Sequence, residues 1–383
     1  MNPASPVVRF GVVGVGTMGQ SHANWLAEGS VPRATLAAVA DPDPARLASF
    51  DKVARFADAA AMIRSGTIDA VLIATPHYDH VTVGIDALAN GLHVLIEKPL
   101  AVHKADCERL LAAYDRRPDQ RQRFGVMFNL RTLTRFAKLK SLIDGGELGA
   151  IRRINWIITE CFRTNAYYAS GGWRATWRGE GGGVLVNQCP HHLDLLQWLF
   201  GMPVAVQARC RFGAFHPIEV EDEVTAQLEF ADGASGVFVA STGEAPGTDR
   251  LEIAAERGRV VIEDGRMTWL RNVVPMSEFC RTTPERFARP ETWKVDVPFP
   301  AGGGEHNNIT RNFVAAILDG APLLAPASEG IRSVELANAM IMSSVTERTV
   351  RLPLDGAEYQ RQLERLIAGA AAPRPTATTA AAR

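Results

Sequence analysis

The sequence predicts an α/β protein in two parts: a doubly wound parallel sheet at the N-terminus, then an α+β domain built on a mostly antiparallel open sheet. Three observations carry this. Short, continuously apolar runs alternate with helical patterns through the first third of the chain, as strands buried on both faces by crossover helices do. A glycine-rich turn, Gly14 to Gly19, joins the first run to the first helix. From about Arg131 onward, strand-like runs are separated by turns instead of regular helices, which suits antiparallel pairing. At 383 residues the chain exceeds what one core usually organises. The pattern divides it into residues 1–128 for the first domain, 129–368 for the second, and a disordered tail over 369–383, rich in alanine, proline and threonine.

The elements follow in order. Val7 to Val15 is an apolar, β-branched strand, and a helix covers Gln20 to Ala27. A second strand, Leu36 to Ala40, stops at Asp41. A helix near Pro44 to Phe50 and a short strand near Lys52 to Phe56 come next. A buried strand over Ala70 to Ala74, a helix around His80 to Asn90 and a strand over Leu92 to Ile96 complete the alternation. Such a sheet binds its ligand at the carboxyl ends of its strands. In the second part the strands are Ile151 to Thr159, Val204 to Arg211, Val224 to Phe230, Ser235 to Ala240 and Arg250 to Ala254.

Composition excludes several partners. A net charge of −1 supplies no field to attract nucleic acid or an anionic membrane, and no run is long and apolar enough to span a bilayer. Five cysteines at wide, irregular spacing form no metal-ligand or disulfide pattern and read as reduced thiols of a cytoplasmic protein. A small, neutral ligand fits this balance better.

The glycine turn reads G-x-G-x-x-G. Between a strand and a helix, its backbone N–H groups and the helix N-terminus can hold a pyrophosphate. Gly14, Gly16, Thr17, Met18 and Gly19 are therefore candidate cofactor contacts, Gly16 for close approach and Gly19 for tight packing of helix on strand. Asp41, at the end of the second strand, is placed to accept from the adenosine ribose hydroxyls. A carboxylate there repels a 2′-phosphate and favours NAD over NADP, while Arg46 counts the other way by offering a guanidinium to such a phosphate. Asp41-Pro42-Asp43-Pro44 also reads as a turn and helix cap.

Downstream, Ala74-Thr75-Pro76, His80, Gly91-Leu92-His93-Val94 and Glu97-Lys98-Pro99-Leu100-Ala101 occur in that order. Phe128-Asn129, the segment Gly181 to Asp194, and Asn312-Phe313 with Ala316 to Gly320 follow. Together these closely resemble the Gfo/Idh/MocA family of sugar and polyol oxidoreductases, over nearly the whole chain. The resemblance implies a Rossmann domain, then an α/β domain whose large sheet forms a homodimer or homotetramer interface. It implies that Thr75, Pro76, His80, Glu97 and Lys98 lie along the cofactor, that Asn129 lies along the substrate, and that His191 is catalytic.

Lys98 has a role on physical grounds as well. An isolated lysine closing a buried strand is costly to bury unless paired, and here it faces the crevice where the nicotinamide would lie. Glu97 points to the opposite side of the pleat, as a supporting partner. Pro190 suits the first turn of the apolar helix through Leu193, Leu195, Leu196 and Trp198. His191 then lies in the field of a helix N-terminus, which disfavours imidazolium and leaves the neutral base that proton abstraction needs. His192 and Asp194 face elsewhere on the helix, and no third ligand with metal spacing accompanies them. The resemblance has one departure: four residues before His191, where the family frequently has aspartate, this chain has Asn187. An amide cannot take a proton, but it can fix a neighbouring hydroxyl.

Between the first two strands of the second domain lies a segment dense in Arg163, Tyr167, Tyr168, Trp173, Arg174 and Trp177. Aromatic faces pack on the C–H faces of a sugar ring and guanidinium groups donate to hydroxyls, so Arg163, Tyr167, Trp173 and Trp177 are candidate substrate contacts. The same loop could instead anchor an oligomer interface. The expected reaction is hydride transfer between NAD and a secondary alcohol of a sugar, polyol or inositol. Two rivals stand beside it: an NAD-recycling enzyme that cleaves glycosides through transient oxidation, and a non-catalytic dinucleotide sensor.

Overall fold

The computed structural model describes residues 6–370. Six strands, β1 (Val8–Val13), β2 (Ala34–Ala40), β3 (Ala54–Phe56), β4 (Ala70–Ile73), β5 (His93–Ile96) and β6 (Phe124–Val126), form the first sheet in the order β3-β2-β1-β4-β5-β6. Every pair is parallel. All four residues of β4 are buried, as a central strand covered by helices on both faces requires. The crossovers carry α1 (Thr17–Ala27), α2 (Pro44–Leu47), α3 (Ala59–Ile63), α4 (Asp79–Ala89) and α5 (Lys104–Asp115). Asp43 caps α2 through the Ala45 N–H, Asp58 caps α3 through the Ala61 N–H, and His103 caps α5. Helix α3 escapes the sequence pattern because five residues carry little periodicity. Helix α1 begins at Thr17, inside the glycine turn, and not at Gln20.

The second part opens with α6 (Thr134–Asp144) and continues through β7 (Ile151–Ile158), α7 (Asn165–Ala169), α8 (Pro190–Phe200), β8 (Ala205–Phe212), β9 (Glu221–Glu229) and β10 (Ser235–Ser241). It goes on with β11 (Asp249–Ala255), β12 (Gly258–Glu263), β13 (Arg266–Asn272), α9 (Met276–Thr282) and β14 (Thr292–Asp296). Helices α10 (His306–Leu318) and α11 (Ala327–Thr346), the short β15 (Val350–Arg351) and α12 (Gly356–Ala370) close the chain. Nine strands pair in the order β14-β13-β12-β11-β7-β10-β9-β8-β15. The sheet is antiparallel except where β7 meets β10. Separation by turns alone holds for β8 to β13; regular helices flank that stretch on both sides.

One face of this sheet is packed. Ile154, Trp156 and Ile158 of β7, Phe238 of β10 and Leu251 of β11 are buried with Leu193 and Leu196 of α8 and Met340 of α11. Each such side chain contributes about 1.5–3 kcal/mol on burial. Helix α11 joins the two cores: Ala327 and Val334 pack with the parallel sheet, as do Phe313 and Val314 of α10, while Leu336 to Met342 pack with the second. This shared helix sets the strand ends of the first sheet against α8. Of the expected tail, Gly369 and Ala370 are the last residues of α12, and 371–383 lie outside the described residues. All five cysteines are free, and among the described residues no helix is long and apolar enough to cross a membrane.

Candidate active site

A cleft of about 860 Å³ opens at the carboxyl ends of β1, β2, β4 and β5, with the loop after β7 as its far wall. Gly14, Gly16, Thr17 and Met18 line one end. Two of the three glycines are required by the protein itself. Gly14 has φ +80°, and a Cβ on it would lie 2.8 Å from the Ala74 carbonyl oxygen; one on Gly19 would lie 1.7 Å from that of Gly14. Gly16 differs, since a Cβ there meets nothing nearer than an Arg46 nitrogen at 3.7 Å. The unencumbered side of Gly16, the uncapped N-terminus of α1 and the unpartnered, buried Oγ1 of cleft-lining Thr75 together fit a bound dinucleotide.

Asp41 is buried at the end of β2, where Oδ2 accepts from Val15 N–H and Oδ1 from Asp43 N–H, each at 2.9 Å. Arg46 lies 3.6 Å from Asp41 and 3.5 Å from Asp43, so two carboxylates share its charge. Arg46 nevertheless lines the cleft with 54% of its side chain exposed. Asp43 takes the capping role, while Asp41 lines the cleft.

Lys98 follows β5 and lines the cleft, and its Nζ donates to the main-chain carbonyl of Asn187 at 2.9 Å. Burial lowers its pKa; Glu97 and Glu180 oppose that, and Arg174 and Arg163 add to it. Beneath it Glu97 meets His22 Nε2 of α1 at 2.7 Å, and Glu97 Oε2 accepts from the Lys98 N–H at 3.2 Å. Burial raises the Glu97 pKa, but the His22 contact outweighs it and holds it near about 2. His80, fully buried, links the loops after β4 and β5: Nδ1 faces Pro99 O at 2.9 Å and Nε2 faces Thr75 O at 3.1 Å. Both Glu97 and His80 thus reach the cleft wall while their polar atoms brace the chain that carries Lys98 and Thr75. Pro76 lines the same wall.

Asn187 sits on a π-helical turn, Val184–Gln188, just before α8. The three glycines that lead into it allow close approach: a Cβ on Gly181 would lie 2.1 Å from Val102, and one on Gly183 would lie 2.0 Å from the Glu221 carbonyl oxygen. The buried Glu221 carboxylate accepts from the N–H groups of Gly183 and Leu185 at 2.8 and 3.1 Å, tying the turn to β9. His191, the second residue of α8, is half-buried edge-on to Phe128, with ring centroids 6.0 Å apart. Its pKa falls well below the ordinary imidazole value through burial first and the Lys98 charge second. The cleft wall includes Lys98 and Asn187 but not His191, whose enclosed Nδ1 has no protein partner. His192 packs on Trp156, and Asp194 forms a buried ion pair with Arg131, so neither belongs to the cleft.

Of the aromatic loop, Tyr167 and Trp173 line the cleft, with the Arg174 guanidinium 4.9 and 4.8 Å from their ring centres. Besides His191, three expected substrate contacts do not line the cleft. Asn129 is buried and donates from Nδ2 to Gly304 O at 2.5 Å, fastening the chain before α10. Trp177 is buried against Phe212 in the second core, because a large ring gains more there than at a wet wall. Arg163 turns back on its own loop, donating to Phe162 O at 2.9 Å. Two residues escape sequence reasoning. His77 packs on His80 and Trp173, and buried Glu180 accepts from Ala175 N–H at 2.7 Å and from Asn187 Nδ2. Glu180 is the one acidic residue between Arg163 and Gly183, and that isolation was its available signal.

The fold and cleft define a dinucleotide-binding α/β protein with a second, sheet-built domain. Residues 8–123 match the family described as "Oxidoreductase family, NAD-binding Rossmann fold", and residues 136–261 match "GFO/IDH/MocA C-terminal domain". The chain is 32% identical over 235 residues to the rhizopine catabolism protein MocA of Rhizobium meliloti, covering 60% of this chain and 69% of that one. It is 26% identical over 355 residues to the inositol 2-dehydrogenase of Rhizobium meliloti (strain 1021), covering 90% and 99%. Among solved structures, the WlbA dehydrogenase from Chromobacterium violaceum, in complex with NADH and UDP-GlcNAcA, superposes with a TM-score of 0.78 at 27% identity, covering 93% and 100%. The chain belongs to the Gfo/Idh/MocA family of oxidoreductases and carries an NAD-binding Rossmann domain.

Proposed function

We propose that the protein is an NAD-dependent dehydrogenase acting on a secondary alcohol of a sugar, polyol or inositol. The observation that carries this reading is Lys98: an ammonium at the cleft wall, held by the Asn187 carbonyl, whose charge acts on the half-buried imidazole of His191 on α8. When bound, the nicotinamide ring accepts or returns the hydride. The chain's own residues handle the oxygen and its proton. Lys98 orients the reacting hydroxyl and offsets the negative charge that develops on it. His191, neutral at physiological pH because its pKa lies well below the ordinary value, takes the hydroxyl proton. The Asn187 amide fixes a neighbouring hydroxyl, while Tyr167 and Trp173 offer faces to the ring carbons. Replacing Lys98 with methionine keeps the volume and removes the charge. Turnover should fall by about 10²–10³-fold or more while NAD affinity stays within a factor of about three. Near-normal turnover would contradict the assignment.

The open sheet also supports a homo-oligomer. On the outer face Ile157 of β7 and Val239 of β10 lie side by side, Ile157 with 36% of its surface exposed. The second copy sits on this face. Ile157→Glu should lower the mass measured by light scattering from oligomer to a smaller species; an unchanged mass would place the interface elsewhere.

A further inference from the structure

Behind the cleft wall, against the cleft-lining Asn187, lies a buried carboxylate that the proposed chemistry leaves without a task. Glu180 is buried, and both of its oxygens accept from N–H donors, Ala175 N at 2.7 Å and the side chain of Asn187. Ala175 has φ +51°, a left-handed conformation unusual for a residue with a Cβ, which the loop adopts while presenting that N–H to the carboxylate. Glu180's own N–H donates to Thr176 O at 2.9 Å, and its carbonyl lies 3.4 Å from His77 Nδ1. The loop from Trp173 to Gly181 is thus folded around this side chain.

Two consequences meet at Lys98. With Nδ2 engaged by Glu180, the Asn187 carboxamide has one orientation, which leaves its Oδ1 as the group free to accept from a ligand hydroxyl. The same contact steadies the residue whose main-chain carbonyl holds Lys98 Nζ at 2.9 Å. The charged groups that act on Lys98 are Glu97, Glu180, Arg163 and Arg174. The imidazoles of His77, His191 and His306 have lowered pKa values and the thiols of Cys161 and Cys189 raised ones, so these are neutral at physiological pH. Glu97 is engaged with His22 at 2.7 Å. Glu180 accepts only from neutral amides; burial raises its pKa, and those hydrogen bonds and the charges of Arg174 and Lys98 oppose that.

We propose that Glu180 is a positioning residue of the lysine site: through Asn187 it fixes the carbonyl that holds the ammonium, and it supplies the counter-charge that an amide at position 187 cannot. This rests on Lys98 being the working group of the proposed dehydrogenase, so the test is read without substrate or cofactor. Lys98 in the full-length protein is acetylated with trace acetic anhydride across pH 6 to 11, and the modified peptide is quantified by mass spectrometry. In Glu180→Gln the loss of the anion should move the labelling midpoint down by about one pH unit, speeding labelling at pH 8 by about tenfold. The exchange Glu180→Gln with Asn187→Asp restores an acid and an amide in contact and should return the midpoint toward the wild-type value. A purely structural role would lower the melting temperature and leave the midpoint in place. An unmoved midpoint in folded Glu180→Gln, or an exchange variant shifted as far as the single one, overturns the proposal. Should Glu180→Gln alone fail to fold, the midpoint of the exchange variant must lie below that of Asn187→Asp, and equality overturns it. Absence of NADH formation by the wild type would defeat the dehydrogenase reading without touching this result.

Discussion

Replacing Glu221 with glutamine should stabilise the protein at alkaline pH, and the size of the effect follows from the site. The carboxyl group is fully buried, one oxygen serves the N–H groups of Gly183 and Leu185, and Oε2 has no hydrogen-bond partner. Burial is the largest influence and raises its pKa from 4.5 to about 7. A folded-state pKa above the unfolded one means that the native protein binds the proton more tightly. Stability from this group is therefore complete below about pH 4.5 and is lost as pH rises through about 7. The shift of about 2.5 units corresponds to about 3 kcal/mol above pH 7, and about 1 kcal/mol of that is already felt at pH 5. Glutamine mimics the neutral acid and keeps the accepting oxygen. Urea unfolding of both proteins at pH 5 and pH 8 should show the variant ahead by about 3 kcal/mol at pH 8 and about 1 kcal/mol at pH 5. A variant less stable than the wild type at pH 8 would refute the reasoning, because it would mean that the charge itself holds the π-helical turn.

The glycine turn separates packing from binding. Gly19→Ala should lower stability by about 3 kcal/mol, since its Cβ would lie 1.7 Å from a carbonyl oxygen, whereas Gly16→Ala should leave the melting temperature unchanged and weaken NAD at least tenfold by calorimetric titration. Unaltered NAD affinity in Gly16→Ala would remove that turn from the cofactor site. Arg131 donates to Asp194 from Nε at 2.7 Å and Nη2 at 2.6 Å, both side chains being 1% exposed, so Asp194→Asn should cost about 3–5 kcal/mol by leaving a buried guanidinium short of charge. A loss under about 1 kcal/mol in denaturant unfolding would assign that compensation to Glu329 alone.

What could be read from the chain was what is local along it. The strand, glycine turn and helix of residues 8 to 27 are encoded by contiguous residues, and Asp41 and Lys98 announce themselves as charges closing apolar strands. Pairings across the fold were not legible. Glu97 meets His22, Arg131 meets Asp194, and Lys98 meets the carbonyl of Asn187, each through tertiary packing that spacing does not encode. Gly181 to Gly183 stood out only through the resemblance, and the fold shows what they do: they make room for Val102 and β9. Trp177 and Asn129 misled because aromatic and amide side chains serve cores and chain ends as well as ligands.

The central claim is tested most directly by nicotinamide absorbance with the purified protein, NAD, and a panel of inositols, aldoses, deoxy sugars and glycosides, run beside Lys98→Met. The account predicts NADH accumulating with one class of polyol or sugar for the wild type, and none for the variant. Consumption of a glycoside without accumulation of NADH, or equal NADH formation by both proteins, would contradict it.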